Sequence, residues 1–432
     1  MRYMRYPLSV ISYPAPRNKV SSQPSMRFLF TSAPMPGHLD WGGYLATAAM
    51  LAARGHDLLW VSAVAVESQV RAAGVPFQAI AETGWRWPPA PPLPRGVMAA
   101  DVWAAQRAQR AMDQWLDIDR VAQATAELAS VANAFAPDLI VTEHFVAAAA
   151  LVAERSGRRL VVAGWPAWPR RLAATPVQAA LANEFRARLA AWGSKGHYFT
   201  KSGPPGIESP YLHITWWSRG WYGTSTESFG AQTRHVGGSA SDAKPPPSDM
   251  PDPRTRPWIF ITLGTAFNRD PAFFAAAVHA AHAVGAQPIV ATGPLAPTED
   301  TALRYRLPAS AMMRQTVDFT AVLPHCAAAI HHGGAGTTHA LVTHAIPQIV
   351  VPHAGDQMQQ ALGVARTAIG MHIPPAEVTT ERLTTALEQL LSAEAPARAN
   401  ARRLRAEFAA LGGAQSAAHL LEAEAHAAHN SG

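Results

Sequence analysis

Cysteine is almost absent from this sequence: Cys326 stands alone among 432 residues. An intrachain disulfide is therefore excluded, and a reducing compartment, the cytoplasm, is the expected location. Charge is sparse too, with Asp, Glu, Lys and Arg making up only 15% of the chain. The arginines are scattered and no basic run interleaved with aromatics occurs, so nucleic acid is not an expected partner. No apolar run reaches the roughly 20 residues needed to span a bilayer, and no transmembrane segment is expected. Metal-ligand spacings are also missing. His325, His331, His332, His339, His344 and His353 crowd near Cys326, but neither HExxH nor paired cysteines occur, and no metal site is expected.

What is present is an ordered, alanine-rich chain, 48% hydrophobic and long enough for two domains with full cores. The 36 Lys and Arg against 30 Asp and Glu give a net charge of +6 and a pI near 9.7. That balance suits acidic small substrates, or a peripheral contact with an anionic membrane surface.

Residues 1–25 are rich in proline and polar residues and do not read as part of the fold. We expect a disordered or misassigned extension, with the functional start at Met26. From there the pattern is strand (Arg27–Thr31), a Pro34-Met35-Pro36-Gly37-His38 loop, a helix from about Asp40 to Arg54 stopped by Gly55, and a strand at Leu58–Val61. His38 thus falls at the crevice edge of a Rossmann-type unit, where an imidazole is suited to take a proton from an acceptor hydroxyl. A carboxylate would hold its tautomer. Pro137–Thr142 reads as a buried strand with Glu143 at its carboxyl end, and His144 beside it is the alternative partner. Tryptophans gather in this half. Trp85, Trp87, Trp165 and Trp168, with the Pro-rich stretch 87–94, suggest an apolar acceptor pocket.

A polar, proline-laden linker at 239–256 separates a first domain, 26–238, from a second, 257–432. The second repeats the pattern: strand Trp258–Leu263, a loop with Thr265, a helix opened by Pro271, and strand Pro288–Ala291. The stretch Ala327–Gln360 is then one βαβ unit, read as apolar run, glycine cluster, helix, apolar run and loop. Gly333, Gly334 and Gly336 permit a tight turn, and a helix beginning at Thr337-Thr338 presents free N–H groups to a phosphate. Asp356-Gln357 at the next loop suits a polyhydroxylated group. Together these describe a nucleotide-sugar site.

HHGGAGTT followed by IPQIVVPHAGDQ resembles the donor signature of the family 1 nucleotide-sugar glycosyltransferases, in particular the bacterial enzymes that glycosylate macrolides, glycopeptides and lipids. The resemblance implies an α/β GT-B fold: two Rossmann-like, doubly wound parallel-sheet domains facing across a cleft, with a last helix at about 414–429 packing back on the first domain. It implies His38 as general base, although Asp40-Trp41 stands where the family more often has Asn-Pro. Glu143 matches the partner of the base, usually aspartate. His332, Gly334, Gly336, Thr337 and Thr338 match the diphosphate contacts, Asp356 and Gln357 the sugar contacts, and Thr265 a hydroxyl near the phosphates. Phe319 matches an aromatic of the base-binding wall, and by its own pattern is equally a core residue. Ala340 replaces a glutamate that meets the ribose hydroxyls in many UDP-sugar enzymes, which tilts the donor towards dTDP. The implied activity is a metal-independent, inverting transfer of a hexose from dTDP- or UDP-sugar to a hydroxyl of an apolar natural product or lipid. The nucleotide sugar is a co-substrate and no cofactor is expected. A non-catalytic accessory protein and a GT-B sugar-nucleotide epimerase are the alternatives.

Overall fold

The computed structural model describes residues 25–86, 100–164, 176–201, 205–223, 229–265, 270–293, 307–308, 311–353 and 356–430. The described residues form two compact units. One runs to Trp216 and adds Ser225–Val236 and Ala414–Gly432; the other comprises Trp217–Thr224 and Gly237–Gly413. Beyond Ser12 the boundary is thus crossed four times. Trp217–Thr224 packs with the second unit, although it directly follows a strand of the first.

The first unit holds strands β1 (Arg27–Thr31), β2 (Asp57–Ser62), β3 (Phe77–Ala79), β4 (Leu139–Thr142), β5 (Arg159–Gly164), β6 (Leu212–Thr215) and β7 (Thr233–His235). They form a parallel sheet in the order β3-β2-β1-β4-β5-β6-β7. The central strands are apolar along their length because helices cover both faces of such a sheet, leaving no solvent side for polar alternation. FLF in β1 and LIV in β4 are fully buried. Tyr44 ties these two strands together, its buried hydroxyl donating to Thr31 O and Val141 O at 2.9 and 3.0 Å. The helix expected from Asp40 to Arg54 starts later, at Tyr44, and runs to Ala53, with a separate short helix, Gly37–Asp40, ahead of it. Trp41 adopts φ +42° and Gly42 φ +95°, a left-handed turn that no continuous helix can contain. The terminal helix, Gly413–His429, packs on this unit. Glu422 accepts from Arg54 (2.8 and 2.9 Å) and from His56 (3.0 Å).

The second unit holds β8 (Trp258–Thr262), β9 (Gln287–Ala291), β10 (Met312–Arg314), β11 (Cys326–His331), β12 (Gln348–Val350) and β13 (Gly370–His372). Its parallel sheet runs β10-β9-β8-β11-β12-β13. Helix starts follow local chemistry. Asp270 accepts from Phe273 N–H ahead of Pro271, and Thr379 accepts from Arg382 N–H. Trp217 and Trp221 are buried in this unit, and Trp216 is buried in the first. The indole of Trp221 lies over Gly363, in the helix Gln357–Arg366, so closely that a Cβ there would sit 2.2 Å from it. Among the described residues no helix is long and apolar enough to cross a membrane.

Candidate functional site

Each sheet reverses its winding beside its first strand: β1 lies between β2 and β4, and β8 between β9 and β11. At such a switch point the loops leaving neighbouring strands diverge and open a crevice at the carboxyl ends. The residues singled out from the sequence follow those four strands. His38 and Glu143 come after β1 and β4; Gly264, Thr265 and His332–Gly334 come after β8 and β11.

At the first switch point His38, in the short Gly37–Asp40 helix, places Nδ1 3.2 Å from Oε1 of Glu143. The register that sets Thr31 opposite Thr142 brings the two loops together. Glu143 is fully buried. Its Oε1 also accepts from Ala33 N–H at 3.0 Å, and Oε2 accepts from Phe145 N–H at 3.1 Å. Three donors thus converge on one carboxylate, which suits its ionised form. An ionised carboxylate only accepts, so His38 carries its proton on Nδ1 and a neutral ring keeps the lone pair on Nε2. The sequence left Glu143 and His144 as rival partners, and the geometry brings Glu143 to the ring. His144 instead packs among Trp115, Phe145 and His213, at ring separations of 6.5, 6.0 and 6.5 Å.

Three aromatic rings surround the imidazole: Trp41 at 4.9 Å, Phe145 at 5.3 Å and Trp85 at 5.7 Å. Trp41 and Phe145 were not singled out from the sequence. The one signal was Trp41 itself, standing where the resembling family has proline. Its ring lies over Gly164 at the end of β5, where a Cβ would come within 2.6 Å. Trp85 corrects an expectation. It is 7% exposed and belongs to the core with Trp115 and Val121, so it backs His38 and does not line an open pocket. Large rings find more apolar area inside than in a loop. Trp87, Trp165 and Trp168, and the extension at 1–24, lie outside the described residues.

At the second switch point the helix expected from Thr337 begins earlier, at Ala335, with Gly334 as N-cap, and runs to Thr343. By helix geometry the N–H groups of Ala335, Gly336 and Thr337 have no partner within the helix. The shift of register corrects Thr338. It is fully buried, and both its N–H and its hydroxyl bond to Gly334 O at 2.9 Å. It stabilises the first turn and does not face a ligand. His332 is held between two glycines. A Cβ at Gly264 or Gly334 would lie 2.5 or 2.4 Å from its ring. Burial, with His331 and His353 nearby, pushes its pKa down to about 3, so the imidazole is neutral at ordinary pH. Its Nδ1 is buried without a hydrogen-bond partner, a state that calls for a polar ligand.

Asp356 stands half-buried at the N-cap position of the helix Gln357–Arg366. Gln357 departs from expectation: it is 4% exposed, and its Oε1 accepts from His353 N–H at 2.7 Å, bracing the loop from within. Thr265 is exposed just past β8. Phe319, open between wall and core, opens a short helix capped by Asp318 and packs edge-on against Phe260 at 5.7 Å. It is half-buried, its inner side packed against the core around Phe260. Among the described residues no group of three or more His, Cys, Asp or Glu side chains is placed to hold a metal ion.

Residues 270–423 match the family model described as erythromycin biosynthesis protein CIII-like, C-terminal domain. The NDP-glycosyltransferase YjiC of Bacillus subtilis (strain 168) is 30% identical over 197 residues, 46% of this chain and 49% of that protein. The match thus spans about half the length of that relative. Aklavinone 7-beta-L-rhodosaminyltransferase of Streptomyces galilaeus is 28% identical over 88% of this chain and 92% of its own length. Among solved structures, the glycosyltransferase VinC in complex with dTDP superposes with a TM-score of 0.65 at 22% identity, covering 92% of this chain and 99% of that one. The family model, these relatives and the two switch-point sheets agree: the chain has the GT-B fold and is similar to nucleotide-sugar glycosyltransferases of bacterial natural products.

Proposed function

We propose that this protein transfers a hexose from a nucleoside-diphosphate sugar to a hydroxyl of an apolar small-molecule acceptor, with inversion at the anomeric carbon. The observation that carries the reading is the buried Glu143 bound to His38 Nδ1 at 3.2 Å, which leaves Nε2 as the proton acceptor. Nε2 removes the proton of the acceptor hydroxyl as its oxygen attacks the anomeric carbon. Glu143 stabilises the resulting imidazolium. Inversion is supported because Glu143, fully buried and bound by three donors within the fold, is not placed to trap the sugar covalently.

The departing diphosphate meets the first-turn N–H groups of the Ala335–Thr343 helix and the imidazole of His332. His332 acts there as a neutral donor, since burial holds its pKa near 3 in the unliganded protein. These groups supply what a divalent ion would otherwise contribute, so no metal is required in this reading. Thymidine diphosphate is favoured over uridine diphosphate by Ala340, which offers nothing to a 2′-hydroxyl, and by the dTDP held in the related VinC. The aromatic enclosure of His38 favours an apolar acceptor, in keeping with the aklavinone named for one relative.

The test is calorimetric binding of dTDP, UDP and GDP sugars, followed by turnover against a panel of hydroxyl-bearing polycyclic and macrocyclic aglycones. Product anomeric configuration is read by NMR. His38→Ala is expected to bind the donor as the wild type does and to lose most turnover. Wild-type turnover by that variant removes His38 as the base. Epimerised donor in the absence of any aglycone replaces transfer by the epimerase reading.

A further inference from the structure

His331, the last residue of β11, is fully buried and lies outside the set of groups assigned to substrate above. Its Nδ1 is 3.1 Å from the N–H of Gly333, and its Nε2 is 3.0 Å from Oε1 of Gln348 on the adjoining strand β12. A backbone N–H can only donate, so Nδ1 must be the acceptor and the ring proton must lie on Nε2. That proton in turn requires Gln348 to present its oxygen, which defines the orientation of a fully buried amide. The neutral ring this needs is the one the interior favours, burial pushing His331 down to about 4.

Gly333 has little freedom to settle elsewhere. It has φ +87°, and a Cβ on it would lie 2.7 Å from Val350 Cγ1 and 3.0 Å from Gln357 O. The next residue, Gly334, caps the Ala335–Thr343 helix without any side-chain cap of its own. A side chain accepting from the N–H two residues on is the device by which asparagine and aspartate shape turns. Here an imidazole does it, and its other nitrogen anchors the turn to β12. From the end of β12 the chain continues to the His353–Gln357 loop.

We propose that His331, oriented by Gln348, is a positioning residue for the donor site: it sets the Gly333–Gly334 turn and thereby aims His332 and the helix N–H groups at the diphosphate. This rests on the donor reading above, and its test is arranged to separate the two. His331→Asn keeps an acceptor at the place of Nδ1, whereas His331→Gln keeps a polar group near Nε2 and loses that acceptor. Calorimetry with dTDP and UDP should show His331→Gln weakened roughly ten- to hundredfold and His331→Asn recovered most of the way. In turnover the loss should appear in KM for the donor, with KM for the acceptor unmoved. Amide hydrogen exchange over 332–336 gives a readout that needs no nucleotide: protection is expected to fall in His331→Gln and persist in His331→Asn. If wild type binds neither nucleotide, the donor reading fails while exchange still decides the role of His331. Equal affinity and equal protection in the two variants overturn the proposal.

Discussion

Replacing Glu143 by Gln removes one charge from a fully buried site while keeping its shape. Two unit charges at the 3.2 Å between Glu143 Oε1 and His38 Nδ1 attract by roughly 5 kcal/mol at an effective dielectric of about 20. With about half of the imidazolium charge developed in the transition state, roughly 2–3 kcal/mol is lost, which is roughly a 30- to 150-fold fall in kcat. Stability changes for a different reason. The amide oxygen can still accept from Ala33 N–H and His38 Nδ1, but the amide nitrogen then confronts Phe145 N–H, formerly 3.1 Å from a carboxylate oxygen. A buried donor left without an acceptor costs about 1–3 kcal/mol. The variant should therefore remain folded with a lowered Tm, bind the nucleotide sugar normally, and turn over slowly at saturating donor and acceptor. Steady-state kinetics with calorimetry on the same preparations separates these effects. A kcat within about threefold of wild type, with fold and donor affinity intact, would refute the electrostatic role assigned to Glu143.

Gly334→Ala keeps an allowed backbone, φ being −62°, yet its Cβ would lie 2.4 Å from the His332 ring. Calorimetry should show nucleotide affinity falling roughly tenfold or more, because displacing a contact group by a fraction of an ångström is costly. Gly363→Ala adds a better helix former but drives a methyl to 2.2 Å from the Trp221 indole. Urea unfolding should show a net loss of about 1–3 kcal/mol, overpacking exceeding the helix gain. Glu422→Gln tests the terminal helix. Partial burial raises the Glu422 carboxyl, but hydrogen bonds from Arg54 and His56 outweigh it and hold the group below the usual range. Because the folded-state pKa is depressed, its stabilisation is present above the unfolded value and fades as pH falls through the folded one. The wild type should exceed the variant by roughly 1–2 kcal/mol near neutral pH, and the gap should close in acid.

Much of the site was legible because its determinants are local. A buried parallel strand reads as a short apolar run, and the glycines after it announce a turn close to a ligand. His38, Glu143 and the HHGGAGTT stretch were therefore placed at strand ends from the sequence alone. The plan of two parallel-sheet domains was legible too. What lay beyond reach depends on distant partners or on a register shift of a few residues. His38 and Glu143 are 105 residues apart. The family resemblance paired them, while their own local stretches left His144 open as a rival. The adjacency of β1 and β4 is what brings the carboxylate to the imidazole. A helix beginning at Ala335 and not at Thr337 turns Thr338 inward, since one position rotates a side chain by more than a quarter turn. Gln357 looked like a sugar ligand, but the backbone of His353 takes its oxygen first. Trp85, which suggested a pocket, went into the core of the first unit, where its area is best hidden. Residue chemistry and spacing determined the class of ligand each loop can hold. Tertiary structure decided which side chains remain to hold it, because burial and long-range hydrogen bonds are properties of the folded whole and leave no mark in a local stretch of sequence.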